Sequence, residues 1–264
     1  MKFNKIAKAV AAAALIAGAI PAFAQTAPIF TIAPSAIGSA SANFDANQIS
    51  GTSSELLHST ATGHFGSGWL NIGSFALNGV TVPKTGLTND YNLYVTFDLA
   101  DTYRVGTGSG INTPDSVNDL TKLNFSFYAD TAFNNTYVNA NAMTGTEATV
   151  GGTADDILLG SGTLIKGVAG FNELLGAHLN STQTFNVTTI GSQFFAAPHP
   201  FYNIAFDEFN NTSQGASVNG NLVAINQASG SIDFNGNAVP EPESLALLGL
   251  GMLGLFATTR RRAK

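Results

Sequence analysis

In Tyr91-Asn-Leu-Tyr-Val-Thr-Phe-Asp-Leu99 the apolar residues Tyr91, Leu93, Val95, Phe97 and Leu99 fall on every second position, with Asn92, Thr96 and Asp98 between them. A period of two places one set of side chains on each face of an extended chain, so this stretch reads as a strand with one face in a core. The pattern recurs at Leu123, Phe125 and Phe127, and at Leu70 and Ile72, leading to Phe75 and Leu77. There it meets Asn78-Gly79, a dipeptide that suits a two-residue hairpin turn, and Val80 and Val82 resume the alternation beyond it. Further strand candidates lie at 157–159, 163–165, 184–190, 194–195, 201–209, 222–225 and 230–234, with Gly160 and Gly162 reading as separators. Residues 25–60, rich in small polar side chains, read as an extended lead-in with one edge strand. Between the termini only 170–179 could pass for a helix, and Gly176 weakens that case. Many short strands separated by Gly, Asn and Ser imply an all-β fold, an antiparallel β-sandwich or jelly roll.

Both ends of the chain depart from this pattern. Lys2, Lys5 and Lys8 precede an apolar run from Ala9 to Ile20, and the small residues Ala22 and Ala24 follow it. That order describes a secretory signal helix over residues 1–24, cut by signal peptidase after Ala24. At the other end, Val239, Pro240, Glu241 and Pro242 precede an uncharged run from Ser244 to Thr259, closed by Arg260, Arg261 and Arg262. The prolines keep their neighbourhood extended and accessible to an enzyme. Leucines at 245, 247, 248, 250, 253 and 255 surround the helix axis, which is a lipid-facing pattern. Sixteen residues at about 1.5 Å each give roughly 24 Å, short of the ~30 Å hydrocarbon core, so this transmembrane helix spans with help from its flanks. The arginines hold its end in the cytoplasm and orient the rest across the membrane.

The domains expected are therefore a signal peptide (1–24), a secreted β-rich domain (25–238) and a C-terminal sorting segment (239–264). The middle domain retains four basic residues, Lys84, Arg104, Lys122 and Lys166, against 15 acidic ones, a formal charge of −11 where the whole chain has −6. Such a field repels nucleic acid and acidic membrane surfaces, and does not repel cations, neutral sugars or basic partners. The chain has no cysteine, so a packed core rather than a disulfide framework stabilises the exported domain.

The ordered tail, Pro240-Glu241-Pro242, apolar helix and arginine cluster, resembles the sorting signal of PEP-CTERM proteins, secreted proteins of Gram-negative bacteria that make exopolysaccharide. The resemblance implies recognition by an exosortase, passage through an inner-membrane intermediate, and delivery to the surface or matrix. Tyr91-Asn-Leu-Tyr-Val-Thr-Phe97, Thr153-Ala-Asp-Asp-Ile-Leu-Leu159, Phe194-Phe-Ala-Ala-Pro-His-Pro-Phe-Tyr202 and Ser229-Gly-Ser-Ile-Asp-Phe234 look like the flocculation-associated subgroup. That likeness implies floc or biofilm formation with exopolysaccharide as partner, and no catalytic residues.

No chemistry-bearing motif competes strongly with this reading. Gly151-Gly-Thr-Ala-Asp-Asp-Ile-Leu-Leu159 resembles one copy of a calcium-binding nonapeptide, which makes Asp155 and Asp156 weak calcium candidates. Ala154 stands where that motif has glycine and no second copy follows, so a turn before a buried strand is the preferred account. Gly106-Thr-Gly-Ser-Gly110 lacks the lysine of a phosphate loop. His58, His64, His178 and His199 have no metal-ligand spacing and read as surface or loop residues. Trp69 and the tyrosines could serve as stacking platforms for sugars, with core packing the favoured reading. No metal or cofactor and no enzymatic activity are expected. The alternatives left open are a secreted polysaccharide hydrolase, whose groups would meet only in space, and a calcium-dependent adhesin.

Overall fold

A computed structural model describes residues 27–104, 116–172, 175–211 and 216–235. Its strands are β1 (Phe30–Ile32), β2 (Phe44–Ala46), β3 (Gln48–Ser59), β4 (His64–Leu77), β5 (Val80–Thr81), β6 (Asn92–Tyr103), β7 (Ser116–Asp130), β8 (Thr136–Val138), β9 (Thr149–Gly151), β10 (Ile157–Phe171), β11 (Ala177–Thr184), β12 (Asn186–Val187), β13 (Phe195–Ala197), β14 (Ile204–Asn210), β15 (Ser217–Asn219) and β16 (Leu222–Asn235). Among the described residues one short α-helix, α1 (Thr189–Phe194), lies between β12 and β13, capped by the Thr188 hydroxyl, which accepts from Gly191 N at 2.9 Å.

The all-β, antiparallel expectation holds, but the sandwich or jelly roll is replaced by a closed barrel. Eight strands pair in the ring β3-β4-β6-β7-β10-β11-β14-β16, and β16 returns to β3 from Leu222 opposite His58 to Ile232 opposite Ile49. A sandwich needs strands short enough to stop at each sheet edge. Here six of the eight run for 12 to 15 residues, and bulges at Ser50/Gly51, Ala100/Asp101, Leu164/Lys166 and Asn226/Ala228 bend them around the closure. Three of these long strands look fragmented or absent in sequence. Segments 157–159 and 163–165 are parts of one strand, β10, and Gly162 is there because a Cβ would sit 1.9 Å from Thr184 O and 2.3 Å from the Phe125 ring. Likewise 222–225 and 230–234 join as β16 across a bulge in which Gln227 has φ 56°. The lead-in contains β3, a full barrel strand rather than an edge.

Two other expectations change. The possible helix at 170–179 is not formed: Gly170 and Phe171 end β10 and Ala177 to Leu179 begin β11, with Asn172 N donating to Gly176 O and Gly176 N to Asn172 Oδ1. The stretch 184–195 breaks into β12, α1 and β13. The Asn78-Gly79 hairpin is present, with φ of 52° and 81° at its two turn residues.

Alternation sorts the side chains across the wall. Leu70, Val95, Phe97, Leu123, Phe125 and Ile232 fill the interior, whereas the ion pairs Lys122–Asp98 and Arg104–Asp119 stand exposed. This is the inverse of a barrel that faces lipid. One end is plugged by the small sheet β13-β1-β2 with α1, through a cluster of rings. Phe195 packs on Phe201 at 4.8 Å and Phe185 on Phe234 at 4.7 Å. No helix among the described residues is long and apolar enough to cross a membrane, and the two terminal helices expected from sequence lie outside the described residues.

Outside the barrel, residues 131–156 form a cover over β16, β3 and β4. Ser54 Oγ donates to Asn226 Oδ1 at 2.6 Å and accepts from Ala140 N at 2.8 Å, while Asn226 Nδ2 donates to Ala140 O at 3.0 Å. Beneath it Trp69 is 7% exposed, donates to Val138 O at 2.9 Å and meets the Tyr137 ring edge-on. Trp69 is thus a core residue and offers no platform.

Candidate functional site

The residues named from sequence for sorting, Val239, Pro240, Glu241 and Pro242, the cluster Arg260, Arg261 and Arg262, and the signal-peptidase positions Ala22 and Ala24 all lie outside the described residues. Asp155 and Asp156 are described. Asp155 ends a short turn that follows Gly152, whose φ of +84° favours glycine and where a Cβ would sit 2.4 Å from Asn134 O. Asp155 Oδ1 accepts from Asn134 Nδ2 at 3.0 Å, and Asp156 Oδ2 accepts from Tyr94 OH at 2.5 Å and Asn135 Nδ2 at 2.9 Å. The turn before β10 is the structure observed; Asp155 braces the cover internally, and Asp156 ties the cover to Tyr94 of the barrel. Among the described residues no three His, Cys, Asp or Glu side chains stand where they could hold a metal.

Sequence reading missed a polar array inside the barrel, at the end opposite the ring plug. His64, expected on the surface or in a loop, begins β4 and is 3% exposed. Its Nδ1 lies 3.1 Å from both Asp101 oxygens, its backbone N donates to Asp101 Oδ1 at 2.9 Å, and Asn118 Nδ2 donates to Asp101 Oδ2 at 3.1 Å. An Nδ1–H directed at Asp101 leaves Nε2 as an acceptor. That atom has no partner among the described residues, nor has Ser59 Oγ on the facing position of β3. Carboxylate and imidazole are therefore oriented as in a catalytic dyad, but no hydrogen bond joins imidazole to hydroxyl.

Deeper in the barrel, Glu55 and Asp207 share a cavity walled by Leu70, Val95, Phe97 and Phe125. It leaves ≈ 20 Å³ for water centres, room for about one or two molecules. Burial, and secondarily the charge of Asp101, pushes the Glu55 carboxyl up to about 7. Burial pushes Asp207 up to about 7 as well, against a hydrogen bond from Gln183. On the outer wall a second concavity of ≈ 620 Å³ crosses β10, β11, β14 and β16. The remaining histidines are dispersed: His58 pairs with Glu147 of the cover at 2.8 Å, and burial holds His178 below its ordinary value.

Residues 238–262 match the PEP-CTERM protein-sorting motif. The chain carries a PEP-CTERM sorting signal. The match covers the segment singled out by its Pro-Glu-Pro triplet, apolar run and arginines, and it is consistent with a secreted or cell-surface protein processed at the membrane. No curated protein and no solved structure matches the chain. The PEP-CTERM motif begins at residue 238, directly after β16 closes the barrel at Asn235.

Proposed function

We propose that this PEP-CTERM protein is an exported, non-enzymatic component of the surface or matrix of a Gram-negative bacterium, and that it promotes floc or biofilm formation with exopolysaccharide. The observation that carries the reading is the match to the PEP-CTERM protein-sorting motif at 238–262. Signal peptidase releases the front after Ala24. The apolar tail holds the protein transiently in the inner membrane, oriented by Arg260, Arg261 and Arg262, until exosortase acts at Val239–Pro242. The acidic middle domain then works by many weak contacts, which multivalency converts into retention. Mass spectrometry of the exported protein should find a C-terminus near Pro242, and deletion of 240–264 should disperse flocs. Recovery of the intact arginine cluster outside the cell, or undisturbed flocs, would overturn the reading.

A secreted hydrolase is the second reading, and the Asp101–His64 pair with Ser59 opposite is the observation in its favour. Incubation of the exported protein with the producing cell's polymer separates the two, because only hydrolysis releases new reducing ends.

A further inference from the structure

The outer concavity is built by register. On its floor, Lys166 faces Thr182, Thr182 faces Phe206 and Phe206 faces Asp233; one step along the strands, Val168 faces Asn180, Asn180 faces Glu208 and Glu208 faces Ser231. Two ladders of outward side chains thus cross four strands, spaced by ~4.8 Å, and line a groove of ≈ 620 Å³. This volume falls within the range of small-ligand clefts, roughly 300–1,000 Å³.

The groove combines an apolar face with unspent polar groups. Phe206 is 39% exposed, although most aromatic rings of the described chain are buried. Among the described residues, Asn180, Thr182, Glu208 and Ser231 direct no side-chain hydrogen bond to a protein neighbour, and Lys166 has no ion-pair partner. Asp233 Oδ1 is buried without a partner. The Asp155 and Trp69 side chains, by contrast, are spent in hydrogen bonds within the cover and from barrel to cover, and Asp156 Oδ2 accepts from Tyr94.

We infer that this groove binds a chain of neutral sugars, with the Phe206 ring against a sugar C–H face and Asn180, Thr182, Glu208, Ser231 and Asp233 exchanging hydrogen bonds with hydroxyls. The inference rests on the polysaccharide reading above and gives it a place on the molecule. Hydroxyls both donate and accept, so they suit a wall that mixes amide, hydroxyl, ammonium and carboxylate groups. A polyanion meets Glu208 and Asp233 with like charge, and a bare metal ion finds no cluster of ligands among the described residues. The weak point contacts of such a site would act together along a polymer with many repeats.

The test is electrophoresis of the exported protein through gels that contain the neutral exopolysaccharide of the producing cells, alginate as a polyanion, or polylysine as a polycation. The neutral polymer should retard the wild type. Phe206→Ala, and separately Asn180→Ala with Thr182→Ala, should lower that affinity at least tenfold at an unchanged melting temperature. Met143→Ala, exposed on the cover, should leave it unchanged. Wild-type affinity in both groove variants overturns the groove while leaving polysaccharide contact standing. Absence of retardation by the neutral polymer overturns both, and retardation by polylysine or alginate alone overturns the assignment to neutral sugar.

Discussion

Glu55 is a carboxylic acid placed where its ionised form has little solvation. Raised from 4.5 to about 7, it keeps its proton in the folded barrel over a range in which the unfolded chain has released it. The folded state then binds more protons than the unfolded one, and stability falls as pH rises. The contribution is undiminished below pH 4.5 and is lost progressively up to about pH 7. Asp207 acts in the same direction between 3.8 and about 7, and burial beside Glu208 raises Asp233 as well. His178 opposes them, since its lowered value makes protonation below pH 6.5 cost stability. Each pKa unit corresponds to about 1.4 kcal/mol, so Glu55 alone weakens the barrel by on the order of 3 kcal/mol at pH 8 relative to pH 4. Glu55→Gln removes the charge and keeps the shape. Thermal melts should show the variant above the wild type by about 5 °C or more at pH 8, with the difference shrinking towards pH 5. Parallel melting curves from pH 5 to 8 would rule this out.

The cover shows how single residues organise an element. Ser54 is buried on the outer face of β3 and links the Ala140 amide of the cover to Asn226 of β16. Ser54→Ala leaves that amide without its acceptor, a cost of about 1–3 kcal/mol. Hydrogen exchange at Ala140 should accelerate at least tenfold, while amides of β6 and β7 stay protected; equal acceleration in all three would mean that cover and barrel open together. The cover also explains why β3 escaped notice. Leu56 and Ser54 lie under the cover while Ile49, Ser53 and Leu57 are also buried, so both faces of the strand are enclosed and no polar-apolar alternation survives. The strands β6 and β7 stood out because their outer faces, with Thr96, Asp98 and Asn124, retain polar residues. In β10 the misleading signal was glycine, which marks close approach to β11 and β7 rather than a chain break. Gly162→Val should therefore cost about 3 kcal/mol or more, measured by urea unfolding, as the new side chain meets Thr184 O and Phe125. Stability within 1 kcal/mol of wild type would show that β10 can shift away.

At the scale of the whole molecule, legibility follows sequence distance. The sorting signal was readable because its three parts are contiguous in 238–262. The groove was not, because Lys166, Thr182, Phe206 and Asp233 meet only through strand register, and the Asp101–His64 pair depends on a bulge in β6. Barrel closure is the extreme case: it joins Gln48–Ser59 to Leu222–Asn235, the first and last strands of the ring. Closure also separates the folded domain from its export device. Every barrel strand has both neighbours by Asn235, and the motif begins three residues later, at 238. From Asn235 to Pro240 an extended chain reaches at most about 17 Å, so the segment proposed as the exosortase recognition site is tethered close to a completed barrel. Removal of 236–264 should leave far-UV dichroism and melting temperature unchanged. Removal of 220–264 deletes β16 and exposes the long edge of β3 and the edge of β14, both prone to pair with other chains. That shorter protein should lose its cooperative melt and aggregate. A monomeric, cooperatively melting product would show that the other seven strands suffice, and would move the domain boundary well before the sorting signal.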